Sequence, residues 1–358
     1  MKSRLVRPAI QKLQEYQPGE QPKIAGLIKL NTNENPYPPS PCVMRAIRGE
    51  LGARLRLYPD PHSDRFRKKI AQVYGFHPNQ VVAGNGSDDI LTMCLRAFVG
   101  EGSLVQFPRP TYSLYPVLTQ IQNGRVQEIP LNNDFGFSLA EVKPKAALTL
   151  IANPNAPTGT LFPNRMLALL AQNLKGVLVI DEAYADFASH NALALARKLP
   201  NVLVTRSFSK SFSLAGMRLG FAVGPVPLIE ALGKVKDSYN LDRLAQLAGE
   251  AALSDMAHHK KCVKRIVGAR ERLRRELQDR GWKVVPSEAN FLFVKPKEGK
   301  AKQWLALLRD KKILVRWFGA PETRAYLRIT IGTEHEMREL LCKVDQIDLK
   351  MRGGNRRV

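Results

Sequence analysis

The sequence has few cysteines and no long apolar segment. Its 358 residues include four scattered cysteines, without the paired spacing of a metal site or a disulfide framework: Cys42, Cys94, Cys262 and Cys342. We therefore expect a reducing, cytoplasmic location and no bound metal. No apolar run approaches the ~18 residues that span a bilayer, and the first eight residues lack the apolar segment of a secretory signal. Neither membrane insertion nor export is expected.

Acidic residues are scarce relative to basic ones. The chain has 32 Asp and Glu against 55 Lys and Arg, a formal net charge of +23. Such a charge favours nonspecific binding of polyanions at low salt. However, the basic residues are spread along the chain, and the sequence shows neither zinc-finger spacing nor an RNP-type aromatic cluster. A specific nucleic-acid function is therefore not expected.

The length and the 44% hydrophobic content suit a globular protein with two domains. Residues 1–40 are rich in proline and predict an extended arm without a helix. Residues 41–245 predict a large α/β domain with a mainly parallel sheet flanked by helices. Residues 246–350 predict a smaller C-terminal α+β domain, and residues 351–358 a basic tail that we expect to be disordered.

Short apolar runs are the predicted strands of both domains. In the large domain they cover residues 81–83, 104–107, 147–151, 177–180, 202–205 and 219–223. In the small domain they cover residues 289–294, 313–315 and 326–331, after a long helical region at 225–280. Ligands of open α/β sheets bind beyond the carboxyl ends of the strands, so polar residues that follow these runs are candidates for a site.

Lys210 lies in a serine-rich segment directly after one of these runs. Ser207 and Ser209 precede it, and Arg218 follows eight residues later. A lysine amine can form a Schiff base with an aldehyde, while hydroxyls and a guanidinium can hold a phosphate. The segment therefore suggests a phosphorylated aldehyde cofactor, although a lysine in a serine-rich loop is more often simply solvated.

Other polar clusters also follow predicted strands. Ser87 and Asp88 follow a glycine turn at the start of a predicted helix, where backbone N–H groups bind anions or the pair simply caps the helix. Tyr112 suits stacking on a ring or ordinary packing. Asn155 lies in a rigid proline turn. Asp181 ends a buried strand and needs a cation, either a protonated pyridine nitrogen or a structural partner.

Together these residues resemble the fold-type I family of aminotransferases that depend on pyridoxal 5'-phosphate, over nearly the whole chain. The resemblance implies three catalytic residues. Lys210 would form the Schiff base and move the substrate proton, Asp181 would keep the pyridine nitrogen protonated, and Tyr184 would bind the phenolic oxygen. It implies further cofactor contacts from Asn155 at the phenolic oxygen, Tyr112 on the ring and, at the phosphate, Ser87, Asp88, Ser207, Ser209, Arg218 and Tyr58.

Tyr58 carries a further implication of the resemblance. In this family the tyrosine at its position reaches the phosphate of the neighbouring subunit's cofactor, so a homodimer with shared active sites is implied. A transcription regulator that joins this fold to a DNA-binding module is not expected, because residues 1–40 are too short and too rich in proline for a helix-turn-helix. A non-catalytic scaffold is disfavoured because the chain has a matching residue at every catalytic position of the family.

Within the family the chain is most similar to the histidinol-phosphate aminotransferases. The similarity lies in the segments 16–19, 33–36, 85–88, 213–220 and 237–240. It implies that Tyr16, Asn33, Arg316 and Arg328 bind the substrate, with the arginines forming a fork for phosphate or carboxylate. The implied reaction is transamination between L-histidinol phosphate and 2-oxoglutarate in histidine biosynthesis. A threonine-phosphate decarboxylase of cobalamin synthesis and an aromatic amino acid aminotransferase are the alternatives.

Overall fold

The structure is a computed structural model that describes residues 5–354. Residues 1–4, the start of the predicted arm, and residues 355–358, the end of the predicted tail, lie outside the described residues. The helices are α1 (Pro8–Lys12), α2 (Pro41–Glu50), α3 (Asp64–Tyr74), α4 (Ser87–Phe98), α5 (Leu114–Ile121), α6 (Asn164–Asn173), α7 (Leu193–Lys198), α8 (Val226–Val235), α9 (Arg243–Ser254), α10 (Met256–Asp279), α11 (Ala301–Asp310) and α12 (Glu334–Gly354). Among the described residues, no helix has the length and apolarity to cross a membrane.

The strands form three sheets. They are β1 (Ile28–Lys29), β2 (Val81–Gly84), β3 (Leu104–Arg109), β4 (Arg125–Pro130), β5 (Leu148–Ala152), β6 (Val177–Asp181), β7 (Val202–Ser207), β8 (Gly220–Val223), β9 (Lys283–Val285), β10 (Phe291–Lys295), β11 (Ile313–Leu314), β12 (Arg316–Trp317) and β13 (Leu327–Thr330). All nine predicted strands overlap strands of the structure. Strands β1, β4, β9 and β12 are not predicted from the sequence, because they are short or lie at an edge with polar, half-exposed residues.

The seven-stranded sheet is the centre of the large domain, in the order β2-β8-β7-β6-β5-β3-β4. Strands β3 to β7 are parallel to one another, and β8 is antiparallel to β2 and β7. Alternate residues of a strand enter different cores: Val202 and Val204 of β7 pack on one face of the sheet, and Leu203 packs on the other. Because helices cover both faces, the strands read as continuous apolar runs. The predicted α/β architecture is confirmed.

The small domain contains a four-stranded antiparallel sheet in the order β12-β13-β10-β9. Its core also takes apolar residues from α10, α11 and α12, including the fully buried Trp304. The predicted smaller α+β domain is confirmed. Strand β11 belongs to neither large sheet, since it pairs in parallel with β1 of the arm and so ties the arm to the small domain.

The predicted domain boundary at residues 245 and 246 falls inside α9. Ala245 and Leu253 of this helix belong to the core of the large domain, whereas Cys262 and Ile266 of α10 belong to the core of the small domain. A helix whose apolar face is buried in one core cannot be divided between two domains. The structure therefore moves the division to the break between α9 and α10, near Asp255.

Two expectations about the chain ends are wrong in part. The arm was expected to have no helix, but Pro8 begins α1, because proline at the first helical position lacks an N–H that has no partner there. The tail was expected to be disordered from residue 351, but α12 continues to Gly354. The 225–280 region is helical as predicted, in three helices with breaks at residues 236–242 and at Asp255.

Candidate active site

A cavity of about 770 Å³ lies where the large domain, the small domain and the arm meet. Strands β6 and β7 end at it, and α4 begins at it, as expected for the carboxyl edge of a parallel sheet. The small domain contributes side chains of β12 and β13. The predicted site residues that line this cavity are Tyr16, Asn33, Ser87, Asp88, Tyr112, Asp181, Tyr184, Ser207, Ser209, Lys210, Arg218, Arg316 and Arg328.

Lys210 follows β7 and carries the amine of the site. Its Nζ donates a hydrogen bond to the carbonyl oxygen of Thr32 in the arm, at 3.1 Å, and lies 5.9 Å from the centre of the Tyr184 ring. Burial lowers the pKa of this amine to about 8, and the positive charge of Arg328 acts in the same direction. At pH 7 roughly a tenth of the amine is therefore uncharged, which is the form that a nucleophile requires.

Asp181 ends β6 at the floor of the cavity. Its carboxylate accepts hydrogen bonds from the Tyr115 hydroxyl at 2.9 Å, the Thr205 hydroxyl at 3.2 Å and the backbone N–H of Ala183 at 3.2 Å. Burial nevertheless raises its pKa to about 6, because no cation lies within these contacts. Three donors thus aim a carboxylate that favours a positively charged ligand.

Tyr184 and Asn33 meet at the cavity although they lie 151 residues apart in the sequence. The Asn33 side-chain amide donates to the Tyr184 hydroxyl at 2.9 Å, and its carbonyl oxygen accepts from the Thr330 hydroxyl at 3.0 Å. Asn33 has a positive φ of 58°, a conformation that asparagine adopts more readily than most residues. Burial raises the pKa of Tyr184, so its hydroxyl stays protonated and available for hydrogen bonding.

The corner of the cavity near α4 is arranged to receive an anion. The first turn of α4 has no side-chain cap, so its backbone N–H groups are available. Arg218 points one amino group to the Ser209 hydroxyl at 3.3 Å and the other to the Asp88 carboxylate at 3.4 Å. The Ser207 hydroxyl accepts from the backbone N–H of Ser209 at 3.1 Å and retains its own proton for a ligand.

Two glycines keep this corner open. A Cβ atom at Gly86, whose φ is +85°, would lie 2.5 Å from an Arg218 amino group. A Cβ at Gly220 would lie 2.5 Å from the backbone nitrogen of Ser87. Any side chain at either position would displace the guanidinium or the start of α4, so only glycine permits this close approach.

Tyr112 forms one wall beside this corner. Its hydroxyl donates to the Asp88 carboxylate at 3.1 Å, and its ring makes edge contacts with Tyr16 at 5.8 Å and Tyr115 at 5.6 Å between ring centres. The Asp88 side chain therefore joins Tyr112 to Arg218, while its backbone N–H belongs to the uncapped first turn of α4. The ring of Tyr112 is held at fixed orientation against the cavity.

Arg316 and Arg328 face the cavity from the small domain as directly paired residues of β12 and β13. Arg316 donates to the carbonyl oxygens of Gln17 at 2.9 Å and Pro18 at 3.2 Å in the arm. Arg328 donates to the carbonyl oxygen of Asn31 at 2.8 Å, and its Nε is buried without a partner. Burial and the charge of Arg316 lower the pKa of Arg328. Two guanidinium groups on directly paired residues can bind the same anion.

Two predicted site residues do not line the cavity. Asn155 is fully buried, and its side-chain amide donates to the Pro110 carbonyl oxygen and the Thr158 hydroxyl, both at 3.0 Å. Its neighbours Ala156 and Pro157 line the wall in its place. Tyr58 is 77% exposed and stacks on Tyr239, with ring centres 4.4 Å apart.

The structure also shows site residues that the sequence analysis did not select. Tyr115 orients Asp181, and its only signal in the sequence is its place in the predicted strand-to-helix region. Glu34 lies in segment 33–36, which carries part of the family resemblance. It lines the cavity and forms an ion pair with Lys29. Three charged residues also line the cavity, although no local sequence pattern marked them as site residues: Arg109, Glu128 and Glu322.

Comparisons with known proteins identify the family of the chain. The profile of the family described as aminotransferase class I and II matches residues 25–344. A histidinol-phosphate aminotransferase of Geobacter sp. (strain M21) is 47% identical over 335 residues, which cover 93% of this chain and 96% of that protein. One from Syntrophotalea carbinolica is 44% identical over 343 residues, covering 96% and 99%. The crystal structure of histidinol-phosphate aminotransferase from Sinorhizobium meliloti in complex with pyridoxal-5'-phosphate has a TM-score of 0.86 and 27% identity, covering 97% and 98%.

Proposed function

The chain belongs to the class I and II aminotransferases, and we propose that it transfers an amino group between L-histidinol phosphate and 2-oxoglutarate. The reaction is the one named for the relatives that it matches over nearly their full length. It is a pyridoxal-phosphate-dependent enzyme of histidine biosynthesis with the fold-type I architecture. The observation that carries the assignment of the site is the meeting of Lys210, Asp181 and Arg218 with the paired arginines in one cavity.

The residues around the cavity suit pyridoxal phosphate. When bound, this cofactor supplies an aldehyde for Schiff-base formation and a ring that accepts electrons from the substrate carbon. Gly86 and Gly220 leave space at the start of α4 that a Cβ atom would fill, and Arg218 adds a cation beside it. The phosphate would bind there, with Ser87, Ser207 and Ser209. Asp181 needs a cation at the floor, which the protonated pyridine nitrogen would supply.

Neighbouring residues orient each proposed catalytic side chain or shift its pKa. Asp181 is oriented by Tyr115 and Thr205, so its carboxylate would hold a proton on the pyridine nitrogen. Lys210, with its pKa lowered to about 8, would accept and return the substrate proton at Nζ. Tyr184, held by Asn33, would donate its hydroxyl proton to the phenolic oxygen, and the ring of Tyr112 would stack on the cofactor. The remaining predicted contact, from Asn155, would require its amide to leave its hydrogen bonds to Pro110 and Thr158.

The paired arginines would select the substrates. Glutamate offers a second carboxylate and histidinol phosphate offers a phosphate, and both anions match the planar donors of a guanidinium. The unpartnered Nε of Arg328 is a donor available for this purpose. Tyr16 and Asn33 complete the wall on the side of the arm. One pair of arginines would thus serve both half-reactions.

Tyr58 and its surroundings favour a homodimer. The tyrosine stands outside the cavity of its own chain and is 77% exposed. Other large apolar side chains are also exposed: Met44 in α2, Leu51, Leu55 and Leu57 in the segment after α2, and Tyr239, which stacks on Tyr58. A second copy of the chain that covered this surface would bury it and would receive Tyr58 at its cofactor phosphate. The cytoplasmic location is likewise a proposal, supported by the scattered cysteines alone.

A two-step titration tests the reaction. Purified protein loaded with pyridoxal phosphate receives glutamate and then imidazole acetol phosphate, and its absorbance spectrum is recorded after each addition. Glutamate should remove the visible absorbance and release 2-oxoglutarate, and the keto phosphate should restore it and yield histidinol phosphate. Release of carbon dioxide from threonine phosphate, without any response to glutamate, would instead identify a decarboxylase.

A further inference from the structure

A charged cluster at the mouth of the cavity joins the two domains. Arg109, the last residue of β3, donates from Nε to the Glu322 carboxylate at 2.7 Å and from Nη1 to the Glu128 carboxylate at 2.5 Å. Glu128 lies on the neighbouring strand β4, within the same domain. Glu322 lies in the small domain, in the loop that connects β12 to β13. One guanidinium therefore makes an internal ion pair and a cross-domain ion pair at the same time.

The segments on both sides of this ion pair carry site residues. Arg109 lies three residues before Tyr112 in the wall of the cavity. Glu322 lies in the loop 318–326, which directly connects the strands of Arg316 and Arg328. The loop is held together by its own hydrogen bonds, including one from the Arg324 backbone N–H to the Ala320 carbonyl oxygen at 2.8 Å. A link at Glu322 therefore acts on both arginines.

A second contact on this side of the cavity is apolar. Phe135, from the large-domain loop after β4, is 6% exposed and packs against Phe293 and Tyr326 of the small domain, with ring centres 5.7 and 5.6 Å apart. Its burial keeps the domains in contact when the ion pair is broken. The Arg109–Glu322 pair, in contrast, is partly exposed, with 46% and 28% of the side chains accessible. It can be removed without unfolding either domain.

We propose that Arg109 is a positioning residue for substrate binding, which acts through Glu322 to hold the loop 318–326 and its two flanking arginines against the large domain. This inference rests on the proposed role of those arginines in binding the substrate. Exposed ion pairs contribute little in general, but here two carboxylates share one guanidinium, which limits its freedom. Partial burial acts to raise the pKa of Glu322, and the hydrogen bond from Arg109 outweighs it and lowers the pKa.

The chain offers a matched control within the same cluster. Glu128→Gln removes a carboxylate from the same guanidinium and the same mouth, but it leaves the cross-domain link intact. Glu322→Gln removes the link. Arg109→Gln and the double variant Arg109→Gln/Glu322→Gln complete a mutant cycle. Glu334→Gln, which breaks the remote exposed pair with Arg272, controls for the loss of an ordinary surface ion pair.

Two measurements on the loaded enzyme test the proposal. Steady-state kinetics should show KM for glutamate and for imidazole acetol phosphate raised about three- to tenfold in Glu322→Gln and Arg109→Gln, with kcat within about twofold and the double variant far from additive. Hydrogen exchange of peptides covering residues 318–326 should become faster in the same variants. Glu128→Gln should change both measurements less than Glu322→Gln does, because it loosens Arg109 but leaves the cross-domain ion pair in place. Glu334→Gln should match the wild type in both measurements.

Equal effects in Glu128→Gln and Glu322→Gln would overturn the proposal. The negative charge at the mouth of the cavity would then determine substrate binding, and the ion pair between the domains would not. Unchanged hydrogen exchange in Glu322→Gln would also overturn it. So would a variant of Arg109 that retains the cofactor less well but binds both substrates normally, because Arg109 would then act through Tyr112. If the wild type transfers no amino group, the proposed reaction fails, while hydrogen exchange still tests the link between the domains.

Discussion

Replacing Arg328 with lysine separates the charge of this residue from its shape. Lysine keeps the positive charge opposite Arg316 but loses the planar set of donors. In the structure one amino group of Arg328 is used by the Asn31 carbonyl oxygen at 2.8 Å, and the buried Nε has no partner. The substitution therefore removes at least one charge-assisted hydrogen bond to an anionic substrate.

A hydrogen bond to a charged group contributes about 1.5–3 kcal/mol. Since each ~1.4 kcal/mol is a factor of ten, kcat/KM should fall about 10- to 150-fold in Arg328→Lys. The fall should affect glutamate and imidazole acetol phosphate alike, because both are anions at the same pair of arginines. The absorbance of the bound cofactor should not change, since the positive charge that acts on Lys210 is retained.

Steady-state kinetics with each substrate, together with the cofactor spectrum, provide the assay. Arg324→Lys is the matched control, because Arg324 is an exposed arginine of the adjacent loop and does not line the cavity. A fall in kcat/KM smaller than threefold for both substrates would refute the argument from donor geometry. A fall for only one of them would show that the arginines do not serve both half-reactions.

The other predictions concern the cofactor site. Lys210→Ala should abolish turnover and borohydride-stable cofactor attachment while the far-UV spectrum is unchanged; normal turnover would exclude Lys210. Arg328→Gln, which removes a charge that lowers the pKa of Lys210, should move the pH midpoint of cofactor reattachment upward from about 8. Asp181→Asn should stabilise the cofactor-free protein at pH 8 by on the order of 2–3 kcal/mol, because the raised pKa of about 6 makes the ionised carboxyl destabilising. This gain in the free energy of unfolding should be complete above pH 6 and absent below pH 4. A difference in melting temperature that does not depend on pH would contradict the prediction. Tyr58→Phe should weaken cofactor retention by roughly tenfold or more without dissociating the dimer, and a fully active monomer in sedimentation would exclude the shared site.

Local patterns in the sequence were sufficient for most of the fold. Runs such as 177–180 and 202–205 are continuous and apolar because both faces of their strands are buried, so burial leaves a direct signal. Edge strand β4 lacks that signal because it is half exposed. The boundary between α9 and α10 was misplaced because two consecutive helices have the same local pattern, whichever core they pack into.

Most of the predicted site residues of the large domain that line the cavity could be found from the sequence because they lie at the end of a strand or a few residues beyond it. Asp181 ends β6, and Lys210 follows the end of the neighbouring parallel strand β7; the geometry of the sheet alone brings such ends together. Their order along the chain therefore carried the information about the site. The same holds for Ser87 at the start of α4, where a helix terminus needs only local sequence.

Only the tertiary structure decided the contacts between distant segments. The pairing of Arg316 with Arg328, the hydrogen bond from Asn33 to Tyr184 and the ion pair from Arg109 to Glu322 join residues that no local pattern relates. Such contacts depend on how two domains and the arm pack, and on which donors compete for each acceptor. That competition is also why the Asn155 amide does not face the cavity: it donates to the Pro110 carbonyl oxygen in the loop after β3 and to the Thr158 hydroxyl in its own turn.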